Sequence, residues 1–169
     1  MTYLWKCKIT KMNKYISAIT LLMAISFSAY AQKTSNVKSI SYLSMQRTAC
    51  FGRCPTYMVE IYKNGLVRYT GRQFTEYTGV YERNLGSKKV APLLKEFASY
   101  RVDTCKELYE NNIPDLPGLI YNFKIDGKET KIYNAGFGPK YLDYLGMQVD
   151  KLVKPTKSWK KVRDLKPEE

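Results

Sequence analysis

Two dipeptides, Asn64-Gly65 and Asp126-Gly127, each interrupt runs of alternating β-branched and aromatic residues, and they constrain the fold more than any other feature of the chain. Both residue pairs accept positive φ, which a two-residue type I′ reversal needs at both central positions, so each predicts an antiparallel hairpin. The first joins Thr56–Tyr62 to Leu66–Thr70. The second joins Leu119–Ile125 to Lys128–Asn134 and pairs Leu119 with Asn134 and Lys124 with Glu129. Leu119, Tyr121, Phe123 and Ile125 then share a face with Ile132, while the Lys124–Glu129 pair suits water on the other side. A face that apolar requires a cover.

The cover is helical. Val90, Leu93, Leu94, Phe97 and Ala98 recur at helical spacing and end at Arg101, with Ser87 as a candidate cap and Pro92 favouring a first turn near residue 90. Pro139 stands at a first helical position before Leu142, Leu145, Val149 and Leu152, and Lys151, Lys154 and Pro155 stop that helix. A strand over Ser39–Met45 has Ile40, Tyr42 and Ser44 on one side, a fourth strand covers Thr78–Arg83, and Asn111–Gly118 is a loop. The predicted order is β-β-β-β-α-β-β-α. It describes an α+β domain over residues 37–153, an antiparallel sheet with two helices packed on one face. Residues 154–169, basic around Trp159, read as a loosely held tail.

The first 31 residues read as an address. Lys6, Lys8, Lys11 and Lys14 precede an uncharged run from Tyr15 that closes on Ala29-Tyr30-Ala31, the three-part pattern of a signal peptide cleaved after Ala31. The competing reading is an uncleaved anchor, but a run of about 17 residues dotted with Ser and Thr is at the short limit for a bilayer. Met12 offers a second start, and Gln32 in place of cysteine argues against a lipoprotein. The expectation is a periplasmic or secreted protein with no transmembrane span after cleavage.

Charge and composition exclude more than they assign. The chain carries 28 Lys and Arg against 15 Asp and Glu and has no histidine. Ser-His-Asp and Cys-His catalysis and His-ligated metals are therefore closed to it, and no cofactor is expected. The basic residues are spread from Lys33 to Lys166 without a nucleic-acid-binding motif, so no nucleic-acid partner is expected. The tail lysines read as a solvated end rather than a contact for anionic lipid or polysaccharide. Tyr57, Tyr62, Tyr69 and Tyr81 read as half-buried sheet residues, and nothing singles out Glu60, Glu76 or Glu82 as a glycosidase pair.

One segment, Arg47-Thr48-Ala49-Cys50-Phe51-Gly52-Arg53-Cys54-Pro55-Thr56-Tyr57, gathers chemically special residues. A redox dithiol wants its thiolate favoured, as at a helix N-terminus, whereas Cys54 leads through Pro55 into a strand with C-x3-C spacing. A metal site lacks ligands beyond Cys105, and a lone nucleophilic cysteine lacks a base. The remaining reading is a Cys50–Cys54 disulfide stapling the turn between the first two strands, with Gly52 permitting the bend. Its rival pairs Cys50 or Cys54 with Cys105; left single, Cys105 is a small buried hydrophobe.

Arg-x2-Cys-x-Gly-x-Cys-Pro-x-Tyr, followed by a strand ending in Asn-Gly and then Val67-Arg68-Tyr69-Thr70-Gly71, resembles a small exported bacterial family, domain of unknown function 6438. The resemblance continues through Leu94 and Phe97, Asp115-Leu116-Pro117 and the Pro139 helix, roughly residues 37–153. It implies no activity. It does imply an envelope or extracellular setting, and it marks Arg47, Cys50, Gly52, Cys54, Pro55 and Tyr57. The expected function is an exported, non-catalytic module that binds or scaffolds an envelope or extracellular partner; the alternative is a thiol-disulfide active protein using Cys50 and Cys54. A carboxylate-based hydrolase is the least supported reading.

Overall fold

The computed structural model describes residues 38–111, 113 and 115–166; the signal segment lies outside them. Eight strands form one sheet: β1 (Ile40–Arg47), β2 (Tyr57–Tyr62), β3 (Leu66–Gly71), β4 (Gly79–Asn84), β5 (Leu108–Tyr109), β6 (Leu119–Ile125), β7 (Lys128–Asn134) and β8 (Lys160–Arg163). Helix α1 (Ser87–Ser99) follows β4, and α2 (Lys140–Leu152) follows β7. The strand order is β5-β7-β6-β1-β2-β3-β4-β8. Every neighbouring pair is antiparallel except β5 and β7, so the fold is α+β with a mixed, mostly antiparallel sheet.

The register explains the core. Leu43 lies opposite Ile61 and Phe123, and Met45 opposite Val59 and Tyr121, so the inward residues of β1, β2 and β6 share one face. Their side chains are at most 1% exposed. Val90, Leu94 and Phe97 of α1 and Leu142, Leu145 and Val149 of α2 belong to the same cluster. The Phe97 ring centroid lies 5.7 Å from that of Tyr121 and 5.6 Å from that of Phe123. Tyr121 Oη donates to the Leu142 carbonyl at 2.7 Å, which seats α2 on the same face. Each such buried side chain contributes about 1.5–3 kcal/mol relative to exposure. The second hairpin has the predicted register, Leu119 with Asn134 and Lys124 with Glu129, and both turn residues are left-handed, Asp126 at φ 48° and Gly127 at φ 82°.

Several expectations are corrected. The predicted order omits β5 and β8. β5 is two residues long, too short for a periodic signal, and pairs in parallel with β7. β8 falls in the supposed loose tail; its four residues are all exposed and so show no apolar alternation, yet Tyr81 pairs with Lys161 and Glu82 with Lys160. Trp159, only 6% exposed, anchors it. In β1 a register shift between Ile40 and Tyr42 breaks the alternation, so Ile40 is buried with Leu43 and Met45 while Tyr42 lies on the other face. The Asn64-Gly65 reversal is a three-residue loop in which only Gly65 has positive φ, with its N–H donating to the Tyr62 carbonyl at 2.8 Å. Asn64 Oδ1 accepts from the Leu66 N–H at 3.0 Å, giving this turn a local stop the other lacks. Ser87 is the first helical residue, capped by Gly86, and Pro92 lies inside α1 on its exposed side, where water can satisfy the carbonyl that loses its partner.

Candidate functional site

β1 ends at Arg47, which pairs with Tyr57 on one side and Leu119 on the other. These registers place Arg47 and Tyr57 on the helix-covered face, under Asp150 in the last turns of α2. Arg47 Nε donates to Tyr57 Oη at 2.8 Å and to Asp150 Oδ2 at 3.1 Å. Arg47 Nη2 also donates to Oδ2, and Tyr57 Oη donates to Oδ1, both in short contacts. Both oxygens of Asp150 are thereby engaged. Burial is the largest single influence on Arg47 and pulls its pKa down, but the hydrogen bonds to and charges of Asp150 and Tyr57 together outweigh it and the net shift is upward. Burial, then the bond to Asp150, pushes the Tyr57 hydroxyl well above the usual tyrosine range.

The loop leaving Arg47 folds back on itself. Cys50 and Cys54 stand at disulfide distance, their Cα atoms 5.7 Å apart. Gly52 takes φ 152° and its N–H donates to the Cys50 carbonyl at 2.8 Å. Phe51, at the tip, is 91% exposed. The loop is tied to the 115–118 segment: Thr48 N–H donates to the Gly118 carbonyl at 3.0 Å, Gly118 N–H to Thr48 Oγ1 at 2.7 Å, and Phe51 N–H to the Asp115 carbonyl at 3.3 Å. Cys105 does not join this cluster. It is unpaired and half-buried, with its sulfur 3.1 Å from Tyr141 Oη.

Between the loop and α2 lies a cleft of about 350 Å³, lined among others by Arg47, Thr48, Pro55, Asn134, Asp143 and Met147. Asn134, 1% exposed, fixes one wall. Its Nδ2 donates to Asp143 Oδ1 at 3.0 Å, and its Oδ1 accepts from the N–H groups of Gly136 at 3.1 Å and Gly138 at 2.8 Å. A cleft with one guanidinium, one carboxylate and apolar walls suits recognition by hydrogen bonds and contact.

The structure thus brings Arg47, Cys54 and Pro55 to one cleft, with Tyr57 behind it and Cys50 and Gly52 in the adjoining loop. Sequence reasoning missed Asp150, Asp143 and Asn134. In one sequence, an aspartate on the polar side of an amphipathic helix carries no mark of its partner. Glu60 and Glu82 lie elsewhere, on the sheet face away from the helices. Arg68 bonds Glu82 at 2.7 Å and Glu60 at 3.5 Å, and Tyr42 donates to Glu60 at 3.1 Å. A guanidinium between the two carboxylates makes them a cross-strand ladder rather than a facing acid–base pair. Glu76 is exposed in the loop before β4.

The chain matches the family described as a domain of unknown function (DUF6438) over residues 41–153. That span takes in Arg47, the cysteine loop, Asp143 and Asp150, and leaves β8 outside. No nucleic-acid-binding family is matched, and no curated protein matches the chain. Among the described residues, no helix is long and apolar enough to cross a membrane.

Proposed function

This chain belongs to that family, and on that premise we propose that it is an exported, non-catalytic module that binds or scaffolds a partner at the cell envelope. The observation that carries the reading is Phe51, 91% exposed at the tip of a loop closed at disulfide distance beside the Arg47 cleft. An aromatic side chain on a constrained loop loses little conformational freedom when it docks, which is how a small contact surface gains affinity. The leader, cut after Ala31, would deliver the chain to the periplasm or beyond, where the Cys50–Cys54 bond persists. The chemistry around the cleft is consistent with binding alone: Asp150 is held by Arg47 and Tyr57, and the two cysteines face each other.

Two measurements test this. Intact mass of the chain recovered from the envelope or medium should lack residues 1–31; full-length chain confined to the cytosol would refute export. Retention of the purified protein on isolated envelopes should fall about tenfold in Phe51→Ala and in Arg53→Ala, both exposed positions, the loss expected of interface anchors. Full retention by both, and by Arg47→Ala, would refute the patch. A second reading, a thiol-disulfide active protein, is favoured by one observation: Cys54 lines the cleft directly. A Cys50–Cys54 reduction potential below about −300 mV would mark a structural bond and remove it.

A further inference from the structure

Asp143, Met147 and Asp150 fall at i, i+4 and i+7 of α2 and so lie along one stripe of the helix. Asp150 holds Arg47, and Asp143 and Met147 line the same cleft as Arg47. The two aspartates are two helical turns apart, about 10 Å. One end of the cleft therefore offers the Arg47 guanidinium, whose Nη1 makes no hydrogen bond among the described residues. The other end offers Asp143, whose Oδ1 is taken by Asn134 and whose Oδ2 makes none. Asn134 is itself locked by two backbone N–H groups, so the carboxylate is held in place before any ligand arrives. Met147, 56% exposed, and Pro55 and Pro117 supply apolar walls between the charges.

A cleft with a cation at one end, an anion at the other and apolar sides is complementary to a zwitterion that fits between the two charges with a hydrogen bond at each end. A charge-assisted hydrogen bond of about 2.8 Å at each end leaves about 4–5 Å of the about 10 Å for the ligand itself, and at about 3.3–3.6 Å per extended residue that corresponds to one or two residues. A volume of about 350 Å³ is in the range of small-ligand sites. Resting on the reading of this cleft as a binding site, we propose that its ligand is a dipeptide, with its α-ammonium on Asp143 and its carboxylate on Arg47. The two anchors are unequal. Asp150 already neutralises Arg47, whereas no cation among the described residues bonds Asp143, so the ammonium end carries more of the affinity.

The probe is dialanine, titrated into the purified protein by calorimetry beside its N-acetylated and C-amidated forms. Saturable binding of dialanine at about 1 mM or tighter is expected. N-acetylation should weaken it about tenfold or more, the loss of one charge-assisted hydrogen bond, and amidation should weaken it less. Asp143→Asn, at an exposed position, should erase the difference between free and acetylated peptide while leaving the amide effect. No saturable binding of dialanine, or discrimination by Asp143→Asn equal to that of the parent, would overturn the proposal. If peptides fail while Phe51-dependent envelope retention persists, the ligand class falls and the binding reading stands; loss of both removes both.

Discussion

Replacing Asp150 with alanine probes the contact that joins the cysteine-loop strands to the second helix. The carboxylate receives Arg47 Nε and Nη2 on Oδ2 and Tyr57 Oη on Oδ1. The side chains of Arg47 and Asp150 are 32% and 30% exposed, neither surface nor core. An exposed ion pair contributes about 0–1 kcal/mol, and breaking a fully buried one costs about 3–5 kcal/mol. Partial burial with three charge-assisted hydrogen bonds places Asp150→Ala between them, at about 2 kcal/mol. For a domain of this size that lowers Tm by roughly 8 °C, read by thermal or urea unfolding. A double-mutant cycle with Tyr57→Phe should give a coupling of about 1 kcal/mol, since the phenol and carboxylate share one bond. A loss under about 0.5 kcal/mol with no coupling would refute the claim that Asp150 grips this corner.

The two hairpin glycines should separate. Gly127→Ala meets open space and costs about 1–2 kcal/mol for its left-handed φ, whereas Gly65→Ala adds a Cβ 2.3 Å from the Gly86 carbonyl carbon and should cost at least about 3 kcal/mol; equal losses in urea unfolding would contradict this. Trp159→Ala should cost about 3 kcal/mol, and truncation after Pro155 at least as much, while a loose tail would allow no change beyond about 0.5 kcal/mol. Burial pushes the Tyr42 and Tyr69 hydroxyls up to about 12. Their folded pKa values are raised, so their stabilisation is complete below the ordinary tyrosine pKa of about 10 and is lost as pH rises through about 12. The urea midpoint should fall from about pH 9.5 to pH 12, and an unchanged midpoint would count against the burial of these phenols.

What the sequence made legible was local. The register of Leu119 with Asn134 follows from turn length, and the Phe97 stripe follows from a period of 3.6, both set by residues close in the chain. The features that escaped lack that support. A single extra residue near Ser41 reverses which side Tyr42 takes, and no composition signal marks such a bulge. Asn-Gly supports more than one short reversal, and here the Asn64 side chain bonding Leu66 accompanies the three-residue form. β8 is held by backbone pairing to β4 and by one buried indole rather than by an apolar face, so its sequence reads as a charged tail. For the site, the motif displayed Arg47 and Tyr57, but their partner Asp150 lies 103 residues after Arg47, a separation that only the folded topology closes.

The geometry of the cleft is set by packing beneath it. Gly146 lies between Asp143 and Asp150 on the buried side of α2, and a Cβ there would stand 2.8 Å from Tyr121 Oη and 2.9 Å from Leu119 Cδ1. The absence of that carbon lets the helix settle onto β6, and Tyr121 Oη then reaches the Leu142 carbonyl. Because both aspartates ride on the same rigid helix, this one close approach sets the height of Asp143 at the cleft wall and of Asp150 over Arg47 together. The Arg47 end is fixed independently, by the pairing of β1 with β2 and β6 on either side. Two rigid bodies, a central strand of the sheet and a helix, therefore carry the opposite charges, and the loop from Ala49 to Pro55 adds contact surface without having to position either one. Such a division suits recognition, where charges must be waiting at fixed separation, and it requires no group to change its protonation or covalent state during the encounter.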